Sequence, residues 1–274
     1  MGQQIVNGVF LGSIYALFAL GYTLVFGVLD ILNLAHAAVF MLASFVALVL
    51  VNAMGLHVLA ALPLTMVAAG LLGLLLERVA FRPLRSRTDS NIAGLISSLA
   101  MATVFEAVAL EVWGPNVQRF PHGTLPADDP ASRIPIPLLG GSISRLQLTV
   151  IAVSVILFLL LTWLVQRTRL GREVRAVAES PRAASTLGVN VDRAIAASFF
   201  ISSALGGAAG VLYGLAYNAL SPDMGQSVEL KGLAVIIVGG MGSMPGAVIA
   251  GMLLGVAEVF VVAHFGASWR DVVS

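Results

Sequence analysis

The chain contains no cysteine and a single lysine, Lys231, among its 274 residues. The first absence excludes disulfides, thiolate metal sites and a cysteine nucleophile together. The second excludes a P-loop ATPase: the phosphate loop G-x-x-x-x-G-K-[ST] needs a lysine after glycine, whereas Lys231 stands in Glu229-Leu230-Lys231-Gly232. No H-E-x-x-H or G-x-S-x-G run occurs, and the four histidines, at 36, 57, 122 and 264, show no paired metal-ligand spacing. A metal site is therefore not expected, and the chain is not read as an enzyme. Charge is also scarce. Asp, Glu, Lys and Arg make up 11% of the residues, against roughly 25% in an ordinary soluble domain. The net charge of +1 offers nothing to nucleic acid.

What is present in excess is apolar surface, at 58% of residues. Runs such as Ile5–Val28, Ile31–Val51, Leu56–Leu76 and Leu148–Val165 are each long enough to cross roughly 30 Å of hydrocarbon as a helix. The expected fold is all-α: a polytopic transmembrane helical bundle forming one membrane domain over residues 1–274. No basic residue precedes the first run and a second span follows almost at once, so the first run reads as a retained span rather than a signal peptide.

Ten of the fifteen Lys and Arg residues lie in two connections, four in Arg78–Arg87 and six in Arg167–Arg193. The positive-inside rule puts both in the cytoplasm. The intervening loop, about residues 114–145, rich in Pro and Gly and carrying Asp128 and Asp129, then lies outside, as does the N-terminus. Later the pattern becomes irregular. Gly232–Ala263 is 32 residues long and is interrupted by Gly239, Gly240, Gly242, Pro245 and Gly246. A broken or re-entrant helix near 239–246 fits, because freed backbone groups in a membrane must be packed in protein or line a wet cavity. A tight cytoplasmic turn between two short spans fits as well.

Gly206, Gly210 and Gly214 share one helix face, as do Gly251 and Gly255. Such spacing lets helices approach closely, within the subunit or between subunits. In the cytoplasmic segment of about residues 166–193, Leu170, Val174, Val177, Ala178, Ala184 and Leu187 fall near helical spacing, with Arg172, Glu173, Arg175, Glu179 and Arg182 between them. Two short amphipathic helices follow, divided where Ser180 caps and Pro181 opens the second, with Gly188 closing it. Such a pair is either merely solvated or a docking element for a soluble partner. Asn7, Ser13, Asn33, His36, Ser97, Ser98, Glu106, Glu111 and Glu258 would be costly against lipid, so they are candidates for a translocation pathway or for internal structure. Asp30 reads as a cap for a helix starting near Ile31.

Four stretches then fall in a recognisable order. They are Asn7-Gly8 through Gly12-Ser13-Ile14-Tyr15-Ala16-Leu17 to Asn33-Leu34-Ala35-His36; Glu77-Arg78 with Arg82-Pro83-Leu84-Arg85 and later Gly114-Pro115; Gly171-Arg172-Glu173-Val174-Arg175-Ala176-Val177-Ala178-Glu179 with Ala183-Ala184 and Leu187-Gly188-Val189-Asn190; and Gly239-Gly240-Met241-Gly242-Ser243-Met244-Pro245-Gly246-Ala247. Over almost the whole chain this order resembles the high-affinity branched-chain amino-acid permeases of bacterial ABC importers, the LivH-type subunit more than its LivM-type partner. The resemblance implies a multi-pass inner-membrane permease working by alternating access. It also implies a homologous second permease, two ATPase subunits that carry the ATP and Mg, and an external solute-binding protein, with no cofactor on this chain. It further implies that Gly171, Arg172, Arg175, Ala176, Glu179, Ala183, Ala184 and Gly188 belong to the loop that docks into the ATPase. Relatives of the same fold serve urea, amides and other small solutes. An ion-coupled secondary transporter using Glu106, Glu111 and Glu258 is the alternative of another class. Members of the group continue past the equivalent of Trp269-Arg270-Asp271-Val272-Val273 with a further apolar span and an R-P-x-G ending, which leaves the topology of 232–274 open. Glu106 stands where an amide or apolar residue is expected.

Overall fold

The computed structural model describes residues 1–85, 90–121, 134–136, 141–266 and 268–269. Much of the loop of residues 114–145, including Asp128 and Asp129, and residues 270–274 lie outside the described residues. The described residues form ten α-helices: α1 Gly2–Leu29, α2 His36–Met54, α3 Val58–Leu76, α4 Ser90–Trp113, α5 Arg145–Arg167, α6 Arg169–Glu179, α7 Pro181–Thr186, α8 Val191–Tyr217, α9 Met224–Gly239 and α10 Met244–Phe265. A π-helical turn, Glu77–Phe81, and a 3-10 turn, Arg82–Leu84, extend α3. Strands β1 (Ile134–Ile136) and β2 (Gly141–Ile143) pair antiparallel in the loop between α4 and α5, with Ile134 opposite Ile143.

Seven of these helices are long and apolar enough to cross a membrane: α1, α2, α3 with its extension, α4, α5, α8 and α10. α1 is apolar all round and is buried all round, packed against α10, α8, α5 and α9. Leu71, Ile96, Leu99, Leu159 and Leu253, on α3, α4, α5 and α10, are exposed and form part of an outer face suited to lipid. The basic ends meet on one side, where Arg85 bridges Glu77 of the π-helical turn and Asp192 of α8 (2.9 Å to Asp192).

Two spans are discontinuous ahead of α2 and α9, and the helix also breaks at residues 239–246, where the sequence suggests it. Asp30 does not cap a helix starting at Ile31. It closes α1 in the left-handed conformation (φ 54°), its N–H donating to Phe26 O at 2.8 Å. The chain is then non-helical through Ala35, and α2 starts at His36, whose ring packs against Phe18 and Tyr22 in the middle of α1. On the opposite side, after Asn218, the chain re-enters without helix until α9 begins at Met224, where a Cβ on Gly225 would come 2.7 Å from Ala37 O. The first turns of α2 and α9 therefore meet near mid-membrane. The irregular backbone is satisfied by protein, as the bilayer interior demands. Leu34 N–H donates to Ser98 Oγ at 3.2 Å, and Gln118 and Leu220 exchange main-chain hydrogen bonds.

The glycine-rich break is the tight turn between α9 and α10. Gly240 and Gly242 take positive φ (87° and 83°), and Gly242 lies 3.7 Å from where a Cβ on Gly27 would stand, close to the inner end of α1. The turn thus sits at the end of the bundle that carries Arg85, and the re-entrant part of this hairpin is the stretch leading into α9, with residues 239–246 forming its tight turn. Gly239 and Gly246 press their main chains together, Ser243 caps α10 by accepting from Gly246 N–H at 3.2 Å, and Pro245 occupies the first turn, where no amide donor is needed.

Candidate translocation site

The glycine stripes serve packing within the subunit. Gly206 accommodates the ring of His36, Gly210 lies on the main chain of Phe40, Gly214 faces Leu220 and Phe120, and Gly251 and Gly255 lie on Ala16 and Gly12 of α1. This close packing fixes the depth of every polar group named below.

At the outer end of α1, Asn7 Oδ1 accepts from Gln3 Nε2 (3.1 Å) and Gln147 Nε2 (2.9 Å), while Gln3 Oε1 accepts from Ser142 N–H at 2.9 Å. These amides line a cleft of about 500 Å³ that reaches Tyr217 and Val259. An adjoining cleft of about 350 Å³ shares Gln3, Asn7, Leu11 and Val259 and is floored by Glu258.

Below them, deeper in the bundle, lie three buried groups in mutual contact. Lys231 Nζ donates to Glu258 Oε1 at 3.0 Å and to the Tyr15 hydroxyl at 3.2 Å, and that hydroxyl donates to Glu258 Oε2 at 2.8 Å. Lys231 is 5%, Glu258 2% and Tyr15 1% exposed. Tyr15 stands fourteen residues before the inner end of α1, about 21 Å along the axis. The only lysine of the chain is therefore held at mid-membrane by α9 against α10 and α1.

The pathway candidates divide by place. Asn7 belongs to the outer cleft. Ser13 donates to Phe10 O at 2.7 Å within its own helix and lines a small apolar cavity. Asn33, His36 and Ser98 surround the lead into α2: Ser98 holds Leu34, and His36 Nε2 donates to Phe18 O at 3.3 Å. Asn33 Oδ1, His36 Nδ1 and the Tyr22 hydroxyl are buried with no hydrogen-bond partner among the described residues. Glu106, half-buried on α4, accepts from Gln226 Nε2 at 3.3 Å at the start of α9, and Glu229 one turn on is half-buried as well. Ser97 lies partly exposed on α4. Gln147, Tyr15, Gln226 and Lys231 were not among the candidates. Two signals existed for the triad, an isolated lysine and a carboxylate within a span, but no sequence pattern joins them.

In the α6–α7 pair, Gly171, Val174, Val177 and Ala184 are buried against the bundle, while Arg172, Arg175, Glu179, Ala183 and Gly188 are exposed and Ala176 is half-buried. Thr168 caps α6, accepting from Gly171 N–H at 3.1 Å, and Ser180 caps α7, accepting from Ala183 N–H at 3.3 Å. Leu187, counted with the apolar face in the sequence, is 83% exposed beyond the end of α7.

Membrane-crossing helices, two discontinuous spans meeting at a polar centre and a capped helix pair on the basic side together define a multi-pass membrane permease. The pattern of the family described as "Branched-chain amino acid transport system / permease component" matches residues 4–274, and the chain belongs to that family. It is 36% identical to the high-affinity branched-chain amino acid transport system permease protein BraD of Pseudomonas aeruginosa, across 99% of this chain and 90% of that one. It is 35% identical to the corresponding LivH proteins of Salmonella typhimurium and Escherichia coli K12, in each case across 99% of this chain and 89% of theirs. No solved structure matches the chain significantly.

Proposed function

We propose that this chain is the membrane-spanning permease subunit of an ABC importer that moves branched-chain amino acids into the cytoplasm across the bacterial inner membrane by alternating access. The observation that carries the reading is the relationship, along nearly the whole chain, to permeases of high-affinity branched-chain amino acid systems. ATP and Mg belong to two separate ATPase subunits, because Lys231 is the only lysine and is not part of a phosphate loop. A homologous second permease and an external solute-binding protein complete the assembly.

The α6–α7 pair suits docking to the ATPase. Its buried side is held by Val174, Val177 and Ala184, and its outer side offers Arg172, Arg175 and Arg182 around the protruding Leu187, an apolar tip ringed by charge. Differential affinity of the nucleotide states for this pair would couple ATP to the permease.

The test is to tag the chain at low expression, purify it in mild detergent and identify by mass what accompanies it, then to reconstitute the assembly and follow leucine. Recovery of a second permease and nucleotide-binding subunits, with uptake stopped by vanadate and indifferent to an uncoupler, is the expected result. Recovery of the chain alone, active on an ion gradient, would replace this reading with a secondary transporter.

A further inference from the structure

A lysine and a glutamate at mid-membrane are expensive to bury even when paired, and a well-packed apolar pair does as well or better for stability alone. Their retention at 3.0 Å, on either arm of the α9–α10 hairpin and with the Tyr15 hydroxyl touching both, calls for a further role. The location supplies one. Glu258 lines the outer cleft of about 350 Å³ together with the amides of Gln4 and Asn7 and the aliphatic Leu11, Val259 and Val262, and Lys231 lies behind it, in contact with the Glu258 carboxylate. The Gln4 side-chain oxygen there is buried without a hydrogen-bond partner among the described residues. A cleft of this size with mixed walls matches a small amphiphilic ligand.

We propose that Lys231 and Glu258 form a zwitterion-exchange site. An aliphatic α-amino acid entering from the outer cleft gives its carboxylate to the Lys231 ammonium and its ammonium to the Glu258 carboxylate, so that each buried charge changes partner and none is left bare. The exchange is neutral overall, which removes the main obstacle to moving a doubly charged solute through a low-dielectric interior. The solute side chain lies against Leu11, Val259 and Val262, and the Tyr15 hydroxyl stays with Glu258. Closing the ion pair behind the solute restores the resting state. A ligand with only one of the two charges leaves one member of the pair unpaired and is refused, whichever end it lacks. This inference rests on the import reading above and assigns the residues that recognise the solute.

The experiment uses the complete importer with its binding protein in proteoliposomes and measures leucine moved per ATP hydrolysed. Wild-type assembly that hydrolyses ATP without moving leucine would count against the import reading itself, separately from this site. With wild-type uptake established, the double variant Lys231→Met/Glu258→Met removes both charges and leaves no uncompensated one. It is expected to assemble with wild-type thermal stability and to move at least tenfold less leucine per ATP. An unchanged ratio makes the pair purely structural and overturns the proposal. Should the double variant fail to assemble, Lys231→Arg keeps charge and pairing with a longer head: a severalfold lower ratio supports exchange, and an unchanged ratio overturns it.

Discussion

Gly210→Ala is the sharpest test of the packing that sets the depth of the polar centre. The new Cβ would overlap Phe40 O and stand 2.7 Å from Ser44 Oγ. The obstacle is main chain within α2, with Ser44 Oγ donating to Phe40 O at 3.1 Å, so no rotamer change relieves it and α2 must move off α8. Overpacking of this kind costs roughly 1–3 kcal/mol. Replacing helical glycine by alanine returns about 1 kcal/mol in propensity. Taking the upper part of the overpacking range because the backbone is the obstacle, the net loss is about 1–2 kcal/mol. Gly27→Ala is the matched control: also helical, but exposed, with nothing closer than 3.7 Å to the new methyl, so only the propensity gain of about 1 kcal/mol remains. The two variants should differ by about 2–3 kcal/mol, or roughly 5–10 °C in thermal unfolding followed by tryptophan fluorescence in detergent. Equal midpoints, or a Gly210→Ala midpoint above that of Gly27→Ala, would mean that α2 and α8 are not in contact there.

Arg85→Ala should be severely destabilising, by about 3–5 kcal/mol, because Glu77, only 2% exposed, loses its buried partner, whereas Asp192→Asn on the exposed side of the same network should cost under about 1 kcal/mol and be masked by salt; chemical unfolding at two salt concentrations reads both. Ser98→Ala leaves the Leu34 N–H without its partner, an expected loss of about 1–3 kcal/mol with no change in solute selectivity, and a wild-type midpoint would show that this hydroxyl does not hold the lead into α2. Arg172→Glu with Glu179→Arg changes only exposed positions, so the permease should keep its stability while pull-down of the ATPase weakens at least tenfold; normal association would rule out docking through this face. Gly171→Ala forces α6 away from the carbonyls of Leu164 and Val165 at the end of α5, and should lower leucine moved per ATP while leaving the ATPase bound, with an unchanged ratio showing that α5 is not the lever.

The helices were legible because composition left few other solutions: apolar runs of twenty residues in a chain with 11% charge form spans, and the basic clusters orient them. The α6–α7 boundary was legible because capping chemistry is local. Ser180 and Pro181 specify it without help from the rest of the chain. The extent of the break between α1 and α2 was not. Ile31 to Ala35 carries neither glycine nor proline, and its apolar residues continue the run, so periodicity reads it as helix. What holds it unwound is the Leu34 N–H donating to Ser98 Oγ on α4, 64 residues away, together with Asp30 in the left-handed conformation. Residues 239–246 left two readings open in the sequence, a break within the membrane and a tight turn at its surface. Their glycines mark a break correctly but say nothing of its depth, which depends on Gly242 meeting Gly27. The triad was half visible: Lys231 and Glu258 each stand out, yet their partnership exists only because the hairpin folds α9 onto α10.

These errors share a cause that bears on how such a chain can work. Where main chains touch, as Gly251 and Gly255 do on α1, two helices cannot slide without first separating, so α1 and α10 move as one body. α9 is joined to its neighbours in both ways: Gly225 meets the main chain of Ala37 and Gly239 that of Gly246, while between them the Lys231 and Tyr15 hydrogen bonds lie at one face and the Gln226–Glu106 bond to α4 at another. Hydrogen bonds can be exchanged for others of equal strength, whereas a glycine contact has no substitute. The side chains of α9 between those two glycine contacts are thus the ones able to change partners, and Lys231 among them lies at the level where a solute must pass from one side to the other.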